Sequence, residues 1–145
     1  MISEAEMQAL VGHCFPGGHY EVAHWENHLL TEATGCEPLP DGLVHPVHLF
    51  HVPIAGVGVS IAELFALAGA DSDASVTIDY YDWEFAAPLR EDVSYRMTGG
   101  VTEHERKRIG DGPFVDSLSF AIELFDGEAF VARSTFRWHF WRFDP

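Results

Sequence analysis

The spacing of apolar positions along this chain changes once, from helical before residue 70 to alternating after residue 75. Between Pro53 and Gly69, Val57, Ile61, Leu64, Phe65 and Ala68 fall at helical spacing, and Val59 and Leu67 fill most of the remaining circumference. A helix apolar nearly all round is normally buried, and this one, at roughly a dozen residues, is too short to cross a bilayer. The pattern predicts one central buried helix, with Gly69 placed for a left-handed C-terminal cap. Upstream, Val22, Trp25, Leu29, Leu30 and Ala33 mark one face of an amphipathic helix that stops near Gly35.

From residue 75 the period is two. Thr77, Asp79, Tyr81, Trp83 and Phe85 alternate with Val76, Ile78, Tyr80, Asp82 and Glu84, and Pro88 to Asp92 makes a turn. Val93, Tyr95, Met97 and Val101 line one face of a second strand, and His104 to Gly112 reads as a charged connection. Leu118, Phe120, Ile122 and Leu124 form a third strand, and Asp126-Gly127 signals a hairpin. Phe130, Ala132, Phe136, Trp138 and Phe140 share one face of the last strand, with Thr135, Arg137 and His139 on the other. Four strands on short connections predict a largely antiparallel sheet whose apolar face the buried helix covers. The class is α+β. A single domain over 1–145 is expected, with a lead over 1–19 and a core over 20–142.

Charge narrows the partners. Eight basic against 23 acidic residues give a formal net charge of −15. Nucleic acid and anionic membrane both need clustered Lys and Arg, so neither is an expected partner. The N-terminus shows neither a charged nor an apolar signal region, and Cys14 and Cys36 read as reduced thiols, so a cytoplasmic location is expected.

The chemistry gathers between the two helices. Residues 35 to 53 carry Pro38, Pro40, Pro46 and Pro53 and read as a crossing loop. Asp41 and His45, four residues apart, are candidates for acid–base work, with His48 and His51 as rivals. Three histidines in seven residues predict that at least one faces a pocket. No metal site is expected. His24 and His28 lie at i and i+4, but no third ligand is fixed nearby, so they read as a surface pair. Cys36 has no base placed beside it and reads as a small buried thiol.

The order of elements resembles the hotdog fold, an antiparallel sheet wrapped around a central helix. More narrowly, the chain resembles the MaoC-like hydratase/dehydratase family, especially its N-terminal, FAS1-like dehydratase type. Three stretches carry the resemblance: Glu84 to Asp92, similar to the family's aromatic strand and Pro-Leu-Arg turn; Pro53-Ile54-Ala55-Gly56, similar to its entry to the central helix; and Ala33-Thr34-Gly35, similar to the start of its hydratase motif. In that family Thr-Gly is followed by a catalytic Asp, then Asn-Pro, an aliphatic residue and a catalytic His. Here Cys36 stands in place of the Asp and Pro40 in place of the His.

The resemblance implies a subunit of an acyl-CoA hydratase/dehydratase acting on 2-enoyl thioesters. The missing pair implies its non-catalytic half, working in a homodimer or beside a catalytic MaoC-like subunit. The expected substrate carrier is coenzyme A or an acyl-carrier protein, with no other cofactor. Free N–H groups at the start of the central helix make Gly56, Val57 and Gly58 candidates for the thioester carbonyl; the alternative is that these glycines only permit close packing. Gly58 to Glu63 is also similar to the central helix of FabZ-type acyl-carrier-protein dehydratases. That adds Glu63 as a substrate-binding candidate, against its reading as a carboxylate at the helix edge. Two rivals stay open: a hotdog thioesterase using Glu63 or Asp41, and a module that binds an acyl chain without catalysis.

Overall fold

In the computed structural model, residues 2–70 and 72–143 are described; residues 1, 71, 144 and 145 of the expected single unit lie outside them. The chain runs α1 (Glu4–Gln8), β1 (Gly18–Glu21), α2 (His24–Ala33), a 3-10 turn (Pro46–Phe50), α3 (Val52–Gly56), α4 (Ile61–Leu67), β2 (Val76–Phe85), β3 (Ser94–Arg108), β4 (Phe114–Asp126) and β5 (Ala129–Arg142). The strands form one five-stranded sheet in the order β1-β3-β4-β5-β2, with every neighbouring pair antiparallel.

The predicted alternation sets the core. Leu118, Phe120, Ile122 and Leu124 of β4 are buried, as are Phe136, Trp138 and Phe140 of β5. Phe120 stacks on Phe136 at 4.9 Å and meets Trp138 edge-on at 5.0 Å. Each such side chain contributes roughly 1.5–3 kcal/mol by leaving water. The Asp126-Gly127 hairpin forms as expected, with Gly127 at φ 57°. Two strand limits differ from the pattern. β1 adds a fifth strand, too short at four residues to show a period. β3 continues through the charged run to Arg108, because a strand edge exposed to water tolerates charge.

The central helix is the main correction. It is two short helices, α3 and α4. Gly58 at φ 82° leaves the right-handed region and ends the first. Ser60 then starts the second with a reciprocal capping box to Glu63. The buried part is α3 with its exit, where Val52, Pro53, Gly56 and Val57 are all inside. On α4 only Leu64 is buried, and Ile61 is half exposed. Close backbone packing explains the break: Gly17 N–H donates to the Val57 carbonyl at 2.9 Å, and a Cβ on Gly18 or Gly58 would run into the facing backbone.

The first long helix is also turned from its expected face. Trp25 and Leu29 are 67% and 57% exposed, and the residues buried on α2 are Asn27 and Thr31. This helix packs on the polar loop rather than on the sheet. Asn27 donates to the Leu43 carbonyl at 3.0 Å and to Glu91 at 2.7 Å, and accepts from the His45 N–H at 3.2 Å. The Pro88–Asp92 turn holds the loop from the other side, with Val44 N–H on the Leu89 carbonyl at 2.9 Å.

A buried ionic cluster ties the helices to the sheet. Asp116 and Arg142 are fully buried and 2.8 Å apart, and Asp116 also accepts from Arg106 at 2.7 Å and His104 at 2.9 Å. The Arg142 guanidinium donates to the carbonyls of Ala68 and Gly69, satisfying acceptors that the end of α4 leaves free.

Candidate functional site

The Pro-rich loop ends in the 3-10 turn that shapes the site. His45 caps it, its Nδ1 accepting from the Val47 N–H at 3.2 Å, and Pro46 starts it. The turn buries His48 completely and leaves His51 part-exposed just before α3. Two other elements bring partners. Glu26 of α2 lies 2.9 Å from His51 Nε2, and the Tyr20 hydroxyl of β1 donates to the same Glu26 oxygen at 2.8 Å. The His48 and His51 rings are 5.3 Å apart.

Burial works against the charged form of Glu26, but the bonds from His51 and Tyr20 outweigh it and hold its carboxyl below the usual range. Burial and the same carboxylate push the Tyr20 hydroxyl up to about 12. His48 is pushed down to about 4, first by burial and then by its neighbour His51. Neither His48 ring nitrogen has a well-formed hydrogen bond, and the Asn27 carbonyl is only a weak acceptor for it. One donor atom from each of Glu26, His48 and His51 lies within 4.8 Å of the other two.

His51 also stands on the wall of an apolar cleft of about 450 Å³. Phe50, Ile54 and Ala55 form one side, Ile61 and Phe65 of α4 another, and Val76, Ile78, Tyr81 and Trp138 the sheet side. Its titratable lining residues are His51 and Tyr81, and burial raises the Tyr81 hydroxyl. Such a cleft suits a chain of methylenes with one polar group near its end. A larger, more open hollow of about 620 Å³ beside Gly99 and Gly100 is lined in part by Glu123 and Arg133, which already pair with each other.

Of the residues singled out from sequence, His48 joins this cluster. His45 is its structural cap. Asp41 is exposed at φ 58°, and its carbonyl accepts from Arg90 at 3.1 Å. Gly56 packs on Met97 and Tyr20, and the Val57 N–H is already taken by the Pro53 carbonyl. Gly58 faces Gly17, and the Glu63 carboxylate accepts from Ser60, so these four lie apart from the cleft lining. Cys36 is exposed, not a buried thiol, and Cys14 is exposed as well. Arg137 is held by Glu105 at 3.0 Å, while His139 bonds Ser117 at 2.9 Å.

Two members, Glu26 and Tyr20, escaped the sequence reading. His48 was already a candidate, and Pro46-Val47-His48 repeats the Pro–aliphatic–His order, although Leu43 to Val47 before it hold no carboxylate. The nearest carboxylate arrives in space, from α2.

Comparison with solved structures settles the architecture. One chain of the ChsH1-ChsH2 complex from Mycobacterium tuberculosis matches with a TM-score of 0.71 at 13% identity, covering 97% of this chain and 90% of that one. The C-terminally truncated HadBC (3R-hydroxyacyl-ACP dehydratase) complex from the same organism gives 0.68 at 10% identity, covering 90% of this chain and 96% of that one. A probable thioesterase from Bartonella henselae gives 0.52 at 10% identity, covering 90% and 99%. This chain has the hotdog fold. No protein-family model matches the sequence, and no curated protein matches it. Among the described residues of this hotdog chain, no helix is long and apolar enough to cross a membrane.

Proposed function

We propose that this hotdog chain is the acyl-binding, non-catalytic half of a MaoC-like 2-enoyl thioester hydratase/dehydratase, working against a second hotdog subunit. The observation that carries this reading is the apolar cleft between α3, α4 and the sheet, with a single histidine on its wall. Two of the structural neighbours are complexes, one of them a 3R-hydroxyacyl-ACP dehydratase, and both accord with a two-subunit assembly. The acyl tail enters the cleft, and the thioester, on coenzyme A or a carrier protein, stays at the mouth. The chemistry needs a base for water and donors for the enolate oxygen. By the sequence resemblance Cys36 and Pro40 stand in place of the family's acid and base, and both are exposed in the first part of the loop. His48 is sealed from the cleft, and His51 is already bonded to Glu26. The partner then supplies the proton-moving pair.

The His51–Glu26 pair on the cleft wall favours one second reading, thioester hydrolysis, in which the pair takes a proton from water attacking the thioester carbonyl. One assay separates the two. The purified chain, given a 2-enoyl-CoA, is expected neither to hydrate the double bond nor to release free thiol. Hydration that disappears in His51→Ala makes this chain itself the catalyst and overturns the reading. Thiol release establishes hydrolysis instead.

A further inference from the structure

We infer that Glu26, His48 and His51 form a binding site for one divalent transition-metal ion of the zinc class. This goes beyond the acyl-binding reading and does not depend on it. Two imidazoles and a carboxylate make a donor set that zinc accepts, with three protein ligands and one position left open. Their donor atoms are gathered from two elements to within 4.8 Å of one another. A tetrahedral ion with bonds of about 2.0–2.1 Å holds its donors roughly 3.3 Å apart, so side-chain movements on the order of 1 Å close the site.

The observation that points to a ligand is His48. Its ring is wholly buried, and neither nitrogen makes a well-formed hydrogen bond. Buried polar groups without partners are uncommon in folded proteins. The ring lies beside His51, whose own Nε2 already faces the Glu26 carboxylate. The Tyr20 hydroxyl donates to the same Glu26 oxygen at 2.8 Å and helps to fix the carboxylate, as supporting residues around metal sites do. Because His51 also lines the apolar cleft, the open position is at the edge of that cleft. The other histidine pair lacks these features: His24 and His28 stack on the outside of α2, and each ring already faces a carboxylate, Glu91 or Glu32.

The test uses the full-length chain stripped with EDTA and titrated with Zn²⁺ against a chromophoric chelator, with Co²⁺ as a spectroscopic substitute. One equivalent is expected to bind, with the visible absorption of a low-coordinate Co²⁺ site. His48→Ala, His51→Ala and Glu26→Gln are each expected to weaken binding by at least about a hundredfold, and Tyr20→Phe by about tenfold. The double change His24→Ala with His28→Ala is expected to leave binding unchanged. Glu26 and His51 are only partly buried, so their variants keep the test valid even if His48→Ala fails to fold. Absence of stoichiometric binding overturns the assignment. So does binding that survives His51→Ala and Glu26→Gln, or binding lost only in the His24/His28 variant. Acyl-CoA binding unaffected by EDTA leaves the acyl reading intact whatever the metal result.

Discussion

Two polar clusters, each centred on a carboxylate with a histidine bonded to it, have opposite completeness. Around Asp116 every donor has a use: Arg142, Arg106 and His104 all bond the one carboxylate, and the remaining arms of Arg142 cap α4. Around Glu26 the carboxylate is satisfied by Tyr20 and His51, but His48 beside them is not. A closed cluster joins elements together; one that leaves a buried ring unpartnered loses stability and has room for something else. The closed cluster lies under the ends of the helices, and the open one at the wall of the cleft.

The largest expected effect is on the closed side. Asp116→Ala strands Arg142 without a counter-charge and is predicted to cost about 3–5 kcal/mol in urea unfolding. Glu26→Gln, which keeps shape and loses one charge, is predicted to cost about 1 kcal/mol. Equal losses would erase the distinction between the clusters.

Acid separates them next. In metal-free protein, His48 is held near 4, below its ordinary 6.5. The unfolded chain therefore takes up that proton first as pH falls. Stability declines between about pH 6.5 and 4, by up to about 3 kcal/mol, and levels off below. Asp116 is held at about 2 from an ordinary 3.8: burial opposes this, but the bonds from Arg106, His104 and Arg142 prevail. Its contribution is present above about pH 4 and is lost toward pH 2. Unfolding free energy measured across pH, with His48→Phe alongside, should show the upper slope vanish and the lower one persist.

The smallest effect is the most discriminating. At pH 7, His48→Phe removes an unpartnered polar ring, so it is predicted to change stability by less than about 1 kcal/mol or to raise it. His104→Phe deprives Asp116 of a donor and is predicted to cost about 1–3 kcal/mol. The reverse ranking would mean that His48, not His104, is the satisfied ring.

The sheet was legible because a half-buried strand writes its period directly: Leu118 to Leu124 and Phe136 to Phe140 face the core as read. The resemblance to a hotdog fold followed from that order and is matched by the solved structures. Helical spacing was less informative. It joined α3 to α4 across Gly58, although Ser60-Ile61-Ala62-Glu63 is itself a capping-box signature for a new start. It also set Trp25 and Leu29 inward, because nothing in a period tells whether a helix meets a sheet or a polar loop. The site was half legible. The histidines of the loop stood out, but Glu26 and Tyr20 reach them only through the fold, over sequence separations that no motif spans.

The central claim is that the cleft beside His51 takes an acyl chain. Calorimetric titration with a long-chain saturated acyl-CoA tests it most directly, with free coenzyme A and the cleft-filling variant Ala55→Trp as controls. The account predicts saturable binding to the native chain, none with free coenzyme A, and at least about tenfold weaker binding, roughly 1.4 kcal/mol, to Ala55→Trp. Equal affinity of the native chain and Ala55→Trp, or no binding by the native chain, would contradict it.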